Sequence, residues 1–303
     1  MLLMTERIWN LKNLKKKFNG FLAIAGLLLS VQLFSSYTPT APPENWKLIT
    51  SVKIPTVAQI SSDPYGFIYF ADSVGNVYKY DTLGNQMVVY SPEEKGEVTL
   101  LEAYRNVNIL VFLKSFQQYL FLNRFLAPSP IYNFDQNEQS LDEDLDIGYV
   151  RLVTNSLDQN LWIIDDDDFT LKKYDLTYNK VTIHTSLDLL LDPKTYDLNF
   201  MREYQNLIFI NDRNSGILVF DNLANYKNKL PFKDVDFFSF QNDDIYFLED
   251  GFVRHYNIYN GQDSKTPVPA GKNYKYVILG NKKAYFFTDE TMDIYECSFC
   301  KFK

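Results

Sequence analysis

A chain of 303 residues with 46% hydrophobic and 16% aromatic content is too apolar to stay disordered and long enough to close a single large core. Its formal net charge of −8 is unevenly spread: Arg7, Lys12, Lys15, Lys16 and Lys17 against Glu6 give the first 43 residues +4 and leave −12 on the rest. A domain that acidic repels phosphate backbones, which argues against nucleic acid as a partner.

Lys15-Lys16-Lys17 precede an apolar run, Phe21 to Phe34, broken only by Gly26, Ser30 and Gln32 and followed by Ser35 and Ser36. This is the order of a secretory signal, so residues 1–36 are expected to be a signal peptide. An uncleaved signal anchor is the alternative, although the run falls short of the roughly 20 residues that span a bilayer comfortably. No Cys follows the run that could carry a lipid. Residues 37–45 include the Pro-rich stretch Thr38 to Pro43 and read as an extended linker. The expected location is therefore periplasmic or envelope-associated, with membrane contact only through an uncleaved N-terminal segment.

From Trp46 the chain is repetitive. WKLITSVKI, Trp46 to Ile54, is a lone strand without a hairpin partner of its own. Six apolar runs then recur at intervals of roughly 40 to 50 residues: FIYFAD from Phe67, ILVFLK from Ile109, LWIIDD from Leu161, LIFIND from Leu207, IYFLED from Ile245 and AYFFTD from Ala284. Each is followed about nine residues later by a second strand-like run, ending in turn at Asp81, Arg124, Asp175, Asp221, Asn257 and Ser298. Six tandem hairpins predict an all-β chain, a six-bladed β-propeller of four-stranded antiparallel blades over residues 46–303. The chain runs out just after DIYECS, one strand short, so Trp46–Ile54 is expected to supply the outer strand of the sixth blade and close the ring. Outer strands are also expected near Lys227–Phe232 and Lys265–Pro269. Gly75-Asn76, Leu83-Gly84-Asn85, Ser215-Gly216 and Asp250-Gly251 supply the positive-φ residues of tight turns.

Two connections are enlarged. Asp135 to Gly148 holds six carboxylates and no basic residue, and Asp142, Glu143, Asp144 and Asp146 are the expected docking element, steering toward a basic partner surface. Asp142, Asp144 and Asp146 have the spacing of a calcium loop, but Ile147 stands where its Gly belongs and Val153 where its Glu belongs, so the loop reads as solvated. The other, Ser186 to Asp197, is expected to form a helical turn at Leu187–Leu191. Asp165 to Asp168 sits at a hairpin turn and reads as solvent-facing.

Chemistry-bearing residues are sparse. His184 and His255 fall on strands of different blades and read as structural, and no nucleophile-elbow, zinc-protease or phosphate-loop motif occurs. Glu102, Arg151, Asn199 and Asp236 are placed on innermost strands, the position from which propeller enzymes hold a channel metal, but they are too mixed to make one site. No catalytic, metal or cofactor residue is therefore assigned, and no cofactor is expected. Cys297 and Cys300 (CSFC) lie roughly 10 Å apart if fully extended, so a disulfide between them requires a turn at Ser298-Phe299.

The segment Asp63 to Gly84, DPYGFIYFADSVGNVYKYDTLG, resembles the NHL repeat through Asp63, Gly66, Ile68, Tyr69, Ala71, Asp72, Val77, Tyr80, Asp81 and Gly84. The third and fourth units keep part of this pattern: Leu161, Trp162, Asp165, Tyr174 and Asp175 in one, Asp212, Phe220 and Asp221 in the other. The resemblance implies a propeller, and NHL-like propellers bind proteins, bind RNA, or act as lyases and lactonases. Residue usage rich in Asn, Lys, Tyr, Phe and Asp is similar to that of exported proteins of Bacteroidetes, which implies an accessory subunit of outer-membrane secretion or gliding machinery. The expected function is a non-catalytic protein-interaction scaffold of an envelope assembly, with other envelope or outer-membrane proteins as partners. A channel-centred metal-dependent hydrolase or lyase and a periplasmic carbohydrate- or peptide-binding protein are the alternatives.

Overall fold

Each apolar run becomes the second strand of a sheet, packed on both faces and therefore apolar along its whole length rather than alternating. In the computed structural model the described residues are 46–104, 108–134, 147–192 and 194–300, and they hold 24 strands in six antiparallel sheets of four. The chain enters through β1 (Trp46–Lys53). Blade 1 follows as β2 (Val57–Ser62), β3 (Ile68–Asp72), β4 (Val77–Tyr80) and β5 (Gln86–Tyr90). Blade 2 comprises β6 (Leu100–Glu102), β7 (Ile109–Leu113), β8 (Gln118–Leu122) and the short β9 (Tyr132–Asn133). Blade 3 is β10 (Val150–Asn155), β11 (Leu161–Asp165), β12 (Thr170–Asp175) and β13 (Lys180–Ser186). In blade 4 the strands are β14 (Leu198–Tyr204), β15 (Leu207–Asp212), β16 (Gly216–Asp221) and β17 (Tyr226–Leu230). Blade 5 has β18 (Phe238–Gln241), β19 (Asp244–Glu249), β20 (Phe252–Asn257) and β21 (Asp263–Pro267). Blade 6 has β22 (Tyr276–Leu279), β23 (Lys283–Phe287) and β24 (Thr291–Cys297), and its fourth strand is β1.

The innermost strands meet their neighbours around the axis, β2 against β6, β6 against β10, β10 against β14 and β22 against β2. One apolar core runs through all six blades, from Ile60 and Phe70 by way of Phe112, Ile163, Phe209 and Phe247 to Phe287 and Ile294. The abundant aromatics fill the gaps between sheets: Tyr204 stacks on Phe240 at 4.2 Å, Phe200 meets Phe238 at 4.9 Å, and Phe134 meets Tyr174 at 6.1 Å.

Closure is made as the sequence anticipates. β1 pairs antiparallel with β24 from Trp46 opposite Cys297 to Lys53 opposite Thr291. Trp46 is buried edge-on against Phe286 at 5.0 Å and Phe299 at 5.1 Å, and its Nε1 donates to Pro267 O at 2.6 Å, tying blade 6 to blade 5. Ser51 Oγ donates to the buried carboxylate of Asp293, which also binds Lys272 Nζ and accepts from Tyr274 OH. Burial alone would raise that carboxyl; the Lys272, Ser51 and Tyr274 bonds outweigh it and hold Asp293 below the usual carboxylate range. Beyond β24 the chain bends at Ser298-Phe299, which brings the Cα atoms of Cys297 and Cys300 to 5.3 Å, and the two are joined by a disulfide.

Some local features differ from what the sequence leads one to expect. The outer strands of blades 4 and 5 begin at Tyr226 and Asp263, slightly earlier than expected. Asp165 is fully buried rather than solvent-facing, because Lys172 from the facing strand reaches back to it at 2.8 Å and to Asp168 at 2.6 Å. Leu191 N donates to Leu187 O at 3.1 Å, closing one helical turn in the connection to blade 4. The N-terminal 45 residues, with the expected signal and linker, and Asp142, Glu143, Asp144 and Asp146 lie outside the described residues. Among the described residues no helix is long and apolar enough to cross a membrane.

Candidate binding face

In every blade the first and third strands run one way and the second and fourth the other. The first-to-second and third-to-fourth turns therefore leave on one side, the turn face. The second-to-third turns and the crossovers between blades leave on the opposite side.

A recurring Asp or Asn at the end of the third strand builds the outer turns of blades 1 to 5 on the turn face. Asp81 Oδ1 accepts from Leu83 N at 2.8 Å and Asn85 N at 2.9 Å. Asn123 caps Phe125 and Ala127 in the same way, Asp221 caps Leu223 and Asn225, Asn257 caps Tyr259 and Asn260, and Asp175 caps Thr177 and Tyr178. The bonds from Asn85, Leu83 and Gly84 outweigh burial and keep Asp81 below the usual carboxylate range, so its charge is used in the turn. Gly84 completes this turn at φ +87°, and a Cβ there would stand 2.7 Å from Val52 Cγ2 and 2.9 Å from Ile294 Cδ1 of blade 6.

The outer turns of blades 1, 2 and 5 lean on the preceding blade. Lys283 Nζ donates to Thr82 O at 2.7 Å, Lys79 Nζ donates to Arg124 O at 2.9 Å, and Tyr259 OH donates to Gln205 Oε1 at 2.6 Å. These three capped turns are thus fixed at both ends, and what all five capped turns present is apolar. Leu83, Phe125, Tyr178, Leu223 and Tyr259 stand at their tips with relative exposures from 59% to 73%, and Phe299 occupies the equivalent place in blade 6. Tyr65 and Leu157 add exposed apolar side chains on the inner turns of blades 1 and 3. In the sequence these tips read as ordinary exposed residues. Their signal is an apolar residue two or three positions after the capping Asp or Asn in five successive units.

Two cavities open inside this ring of tips. One, of about 590 Å³, lies among blades 1, 5 and 6 with Tyr104 of blade 2, and has Asp63, Phe240, Tyr246 and Tyr285 on its wall. Burial raises the Tyr246 and Tyr285 hydroxyls above the ordinary tyrosine value, so both stay neutral; Tyr246 OH accepts from Leu279 N at 2.9 Å. The second, of about 750 Å³, lies mainly between blades 2 and 3 and shares Pro64 and Tyr104 with the first. Behind it is a buried polar seam: Glu102 Oε2 accepts from Thr154 Oγ1 at 2.6 Å and Asn155 N at 3.2 Å, and Glu203 accepts from Trp162 Nε1 at 2.7 Å and Leu157 N.

The four residues considered for a channel site do not converge. Glu102 is buried in that seam. Arg151 Nε donates to Asp166 Oδ1 at 2.6 Å, and its guanidinium lies 5.2 Å from the Tyr196 ring. Asn199 Nδ2 donates to Asp236 O at 2.9 Å, while the Asp236 carboxylate takes Arg213 Nε at 2.9 Å. Asp236 is not on an innermost strand as expected; it precedes β18, in the crossover from blade 4. His184 is on β13 and His255 on β20, in separate sheets. Among the described residues no three His, Cys, Asp or Glu side chains are grouped so as to hold a metal ion.

A closed ring of six four-stranded antiparallel sheets defines the chain as a six-bladed β-propeller. No protein-family model matches the sequence, and no curated protein shows a significant match. Solved structures do match. A catalytically inactive virginiamycin B lyase from Staphylococcus aureus, with quinupristin, is similar at 9% identity with a TM-score of 0.56, over 83% of this chain and 99% of that one. A β-propeller domain from Myceliophteria thermophila reaches a TM-score of 0.57 at 9% identity, over 84% of this chain and 100% of that one. A WD40 domain from Neurospora crassa gives 0.51 at 10%, over 84% and 95%. At such identities the likeness is one of fold.

Proposed function

We propose that the chain is a non-catalytic protein-interaction scaffold of a bacterial envelope assembly, docking its partners on the turn face. The observation that carries this reading is the ring of apolar turn tips, one per blade, held in place by capping bonds. Single exposed apolar residues are ordinary, but a set sharing one face around a concave centre has the composition of an interface, where aromatic anchors supply most of the binding energy. Rigid turns also lower the ordering cost of docking. The envelope location rests on Lys15 to Phe34 and its likeness to an export signal.

The experiment compares wild type with a quadruple variant, Leu83→Ser, Phe125→Ser, Leu223→Ser and Tyr259→Ser, by affinity purification from native membranes. The exposed tips contribute little to the core, so melting behaviour should be preserved while the specific partners are lost. Retention of the same partners by the variant sinks the turn-face reading. A purified wild-type protein that hydrolyses a lactone or ester, with loss on Glu102→Gln, replaces the scaffold by an enzyme.

A further inference from the structure

In blades 1 to 5 a side-chain oxygen at the end of the third strand caps the outer turn, and blade 6 has a sulfur in the same place. Leu83, Phe125, Leu223 and Tyr259 each lie two positions after their capping residue, as Phe299 lies two positions after Cys297, the last residue of β24. Asn257 Oδ1 also accepts from the main-chain N–H three positions on, at 3.0 Å, and Cys297 Sγ accepts from Cys300 N at 3.1 Å. The geometry is that of a cap, but sulfur is a weak acceptor where a carboxylate or amide oxygen is a strong one.

The far side of this turn differs as well. In blades 1 to 5 the chain leaves the turn into a fourth strand, whose ladder holds it. In blade 6 that ladder position is filled by β1, so the residues after Phe299 cannot pair there. What holds them is the Cys297–Cys300 disulfide, together with Lys282 N donating to Cys300 O at 2.8 Å from the inner turn of the same blade. Seated in this way, Phe299 lies 5.9 Å from the His255 ring of blade 5 and 5.1 Å from Trp46, and keeps 38% of its surface exposed. Both cysteines are fully buried.

We propose that oxidation of Cys297 and Cys300 is the step that completes the docking ring, so that a chain held in a thiol-reducing compartment folds without its sixth tip in place. This control rests on the turn face being the docking surface. In the step the two S–H bonds are replaced by one S–S bond. The two electrons and two protons pass to a disulfide-bearing oxidant, whose own S–S bond opens to two thiols. As thiols, the cysteines leave the turn only its weak sulfur cap and the Lys282 bond, and Phe299 is released from Trp46 and His255. Because the finished turn buries both cysteines, the exchange takes place before Phe299 seats, and the disulfide is afterwards shielded from soluble thiols. Docking competence is thereby tied to oxidising surroundings, where such bonds form and persist.

Full-length protein is prepared in two states, one oxidised and one kept in tris(2-carboxyethyl)phosphine from synthesis onward, and both are followed by hydrogen exchange with mass spectrometry. The oxidised form should be lighter by the two thiol hydrogens. In the reduced form, peptides containing Phe299 and Cys300 should exchange about tenfold faster or more, while those spanning Asp81–Asn85 and Asn257–Gly261 keep their rates. Capture of partners from native membranes is then compared, without reductant, among wild type, the double variant Cys297→Ser with Cys300→Ser, and Phe299→Ser with the disulfide intact. Both variants should recover about tenfold less of each partner than wild type. Free thiols in protein isolated under oxidising conditions overturn the proposal, as do equal exchange rates in the two states. Undiminished capture by the double variant, or by Phe299→Ser where the double variant does not fold, overturns it too. If capture is undiminished there but lost by the variant at Leu83, Phe125, Leu223 and Tyr259, the turn face stands and its redox control falls; if that variant also retains the partners, both fall.

Discussion

Trp46 concentrates the closure of the ring in one side chain. It combines a large buried surface with one directed bond, Nε1 to Pro267 O, and two substitutions separate these contributions. Trp46→Phe keeps most of the packing and should cost about 1 kcal/mol, whereas Trp46→Ala should cost about 3–5 kcal/mol, both read from denaturant melts. Equal losses would mean that the aromatic contacts with Phe286 and Phe299 contribute nothing. His255 offers a second residue-scale measurement. Burial lowers its pKa, with Asp244 opposing, so the fold favours the neutral ring. Its contribution to stability is then complete above about pH 6.5, the unfolded value, and is lost as pH falls through that value toward the folded pKa. Proton NMR of the two histidines should show His255 titrating below the ordinary value; a midpoint at or above it contradicts the burial argument.

At the scale of elements, β1 is the piece whose loss the rest cannot absorb. Deleting Trp46 to Ile54 removes the ladder partner of β24 and exposes Phe286 and Tyr295 beneath it, so the shortened chain should melt earlier and aggregate. Unchanged melting and solubility would show that β1 does not hold the ring. This latch was legible in the sequence because the sixth unit visibly lacked a strand and Trp46–Ile54 visibly lacked a partner. Strand positions were legible because doubly packed strands read as continuous apolar runs bounded by Asp and Gly turns. The face was not, since Leu83, Phe125 and Tyr259 are ordinary exposed residues until the register places them on the same side. Asp165 was misplaced for a related reason: its counter-ion, Lys172, sits across the hairpin on the facing strand, where four neighbouring aspartates in one dimension suggest solvent.

For the whole molecule, charge and apolar surface are arranged differently. The crossovers carry Glu93, Glu94, Glu97 and Asp188, and the sequence adds Asp142, Glu143, Asp144 and Asp146 between β9 and β10. Apolar tips hold a partner at contact, whereas clustered charge acts before contact and decays within a Debye length of about 8 Å at physiological salt. Because the chain between β9 and β10 starts and ends on the crossover face, neutralising Asp142, Glu143, Asp144 and Asp146 as amides should slow a basic partner that approaches that face and flatten its salt dependence, while leaving docking on the turn face and the melting point unchanged. An association rate that stays salt-sensitive and unaltered in this variant removes the acidic loop from docking.

Joining the first strand to the last also sets a timetable for biosynthesis. Ser51 and its partner Asp293 are 242 residues apart. At the roughly 5–20 residues per second of translation, β1 waits on the order of ten to fifty seconds for β24 to exist. During that interval it is an unpaired strand with Leu48, Ile49 and Val52 able to join another nascent chain. Lys47 and Lys53 flank those residues and are exposed in the finished fold. Their charges repel a second copy of the same segment, keeping β1 available until the final blade has been made.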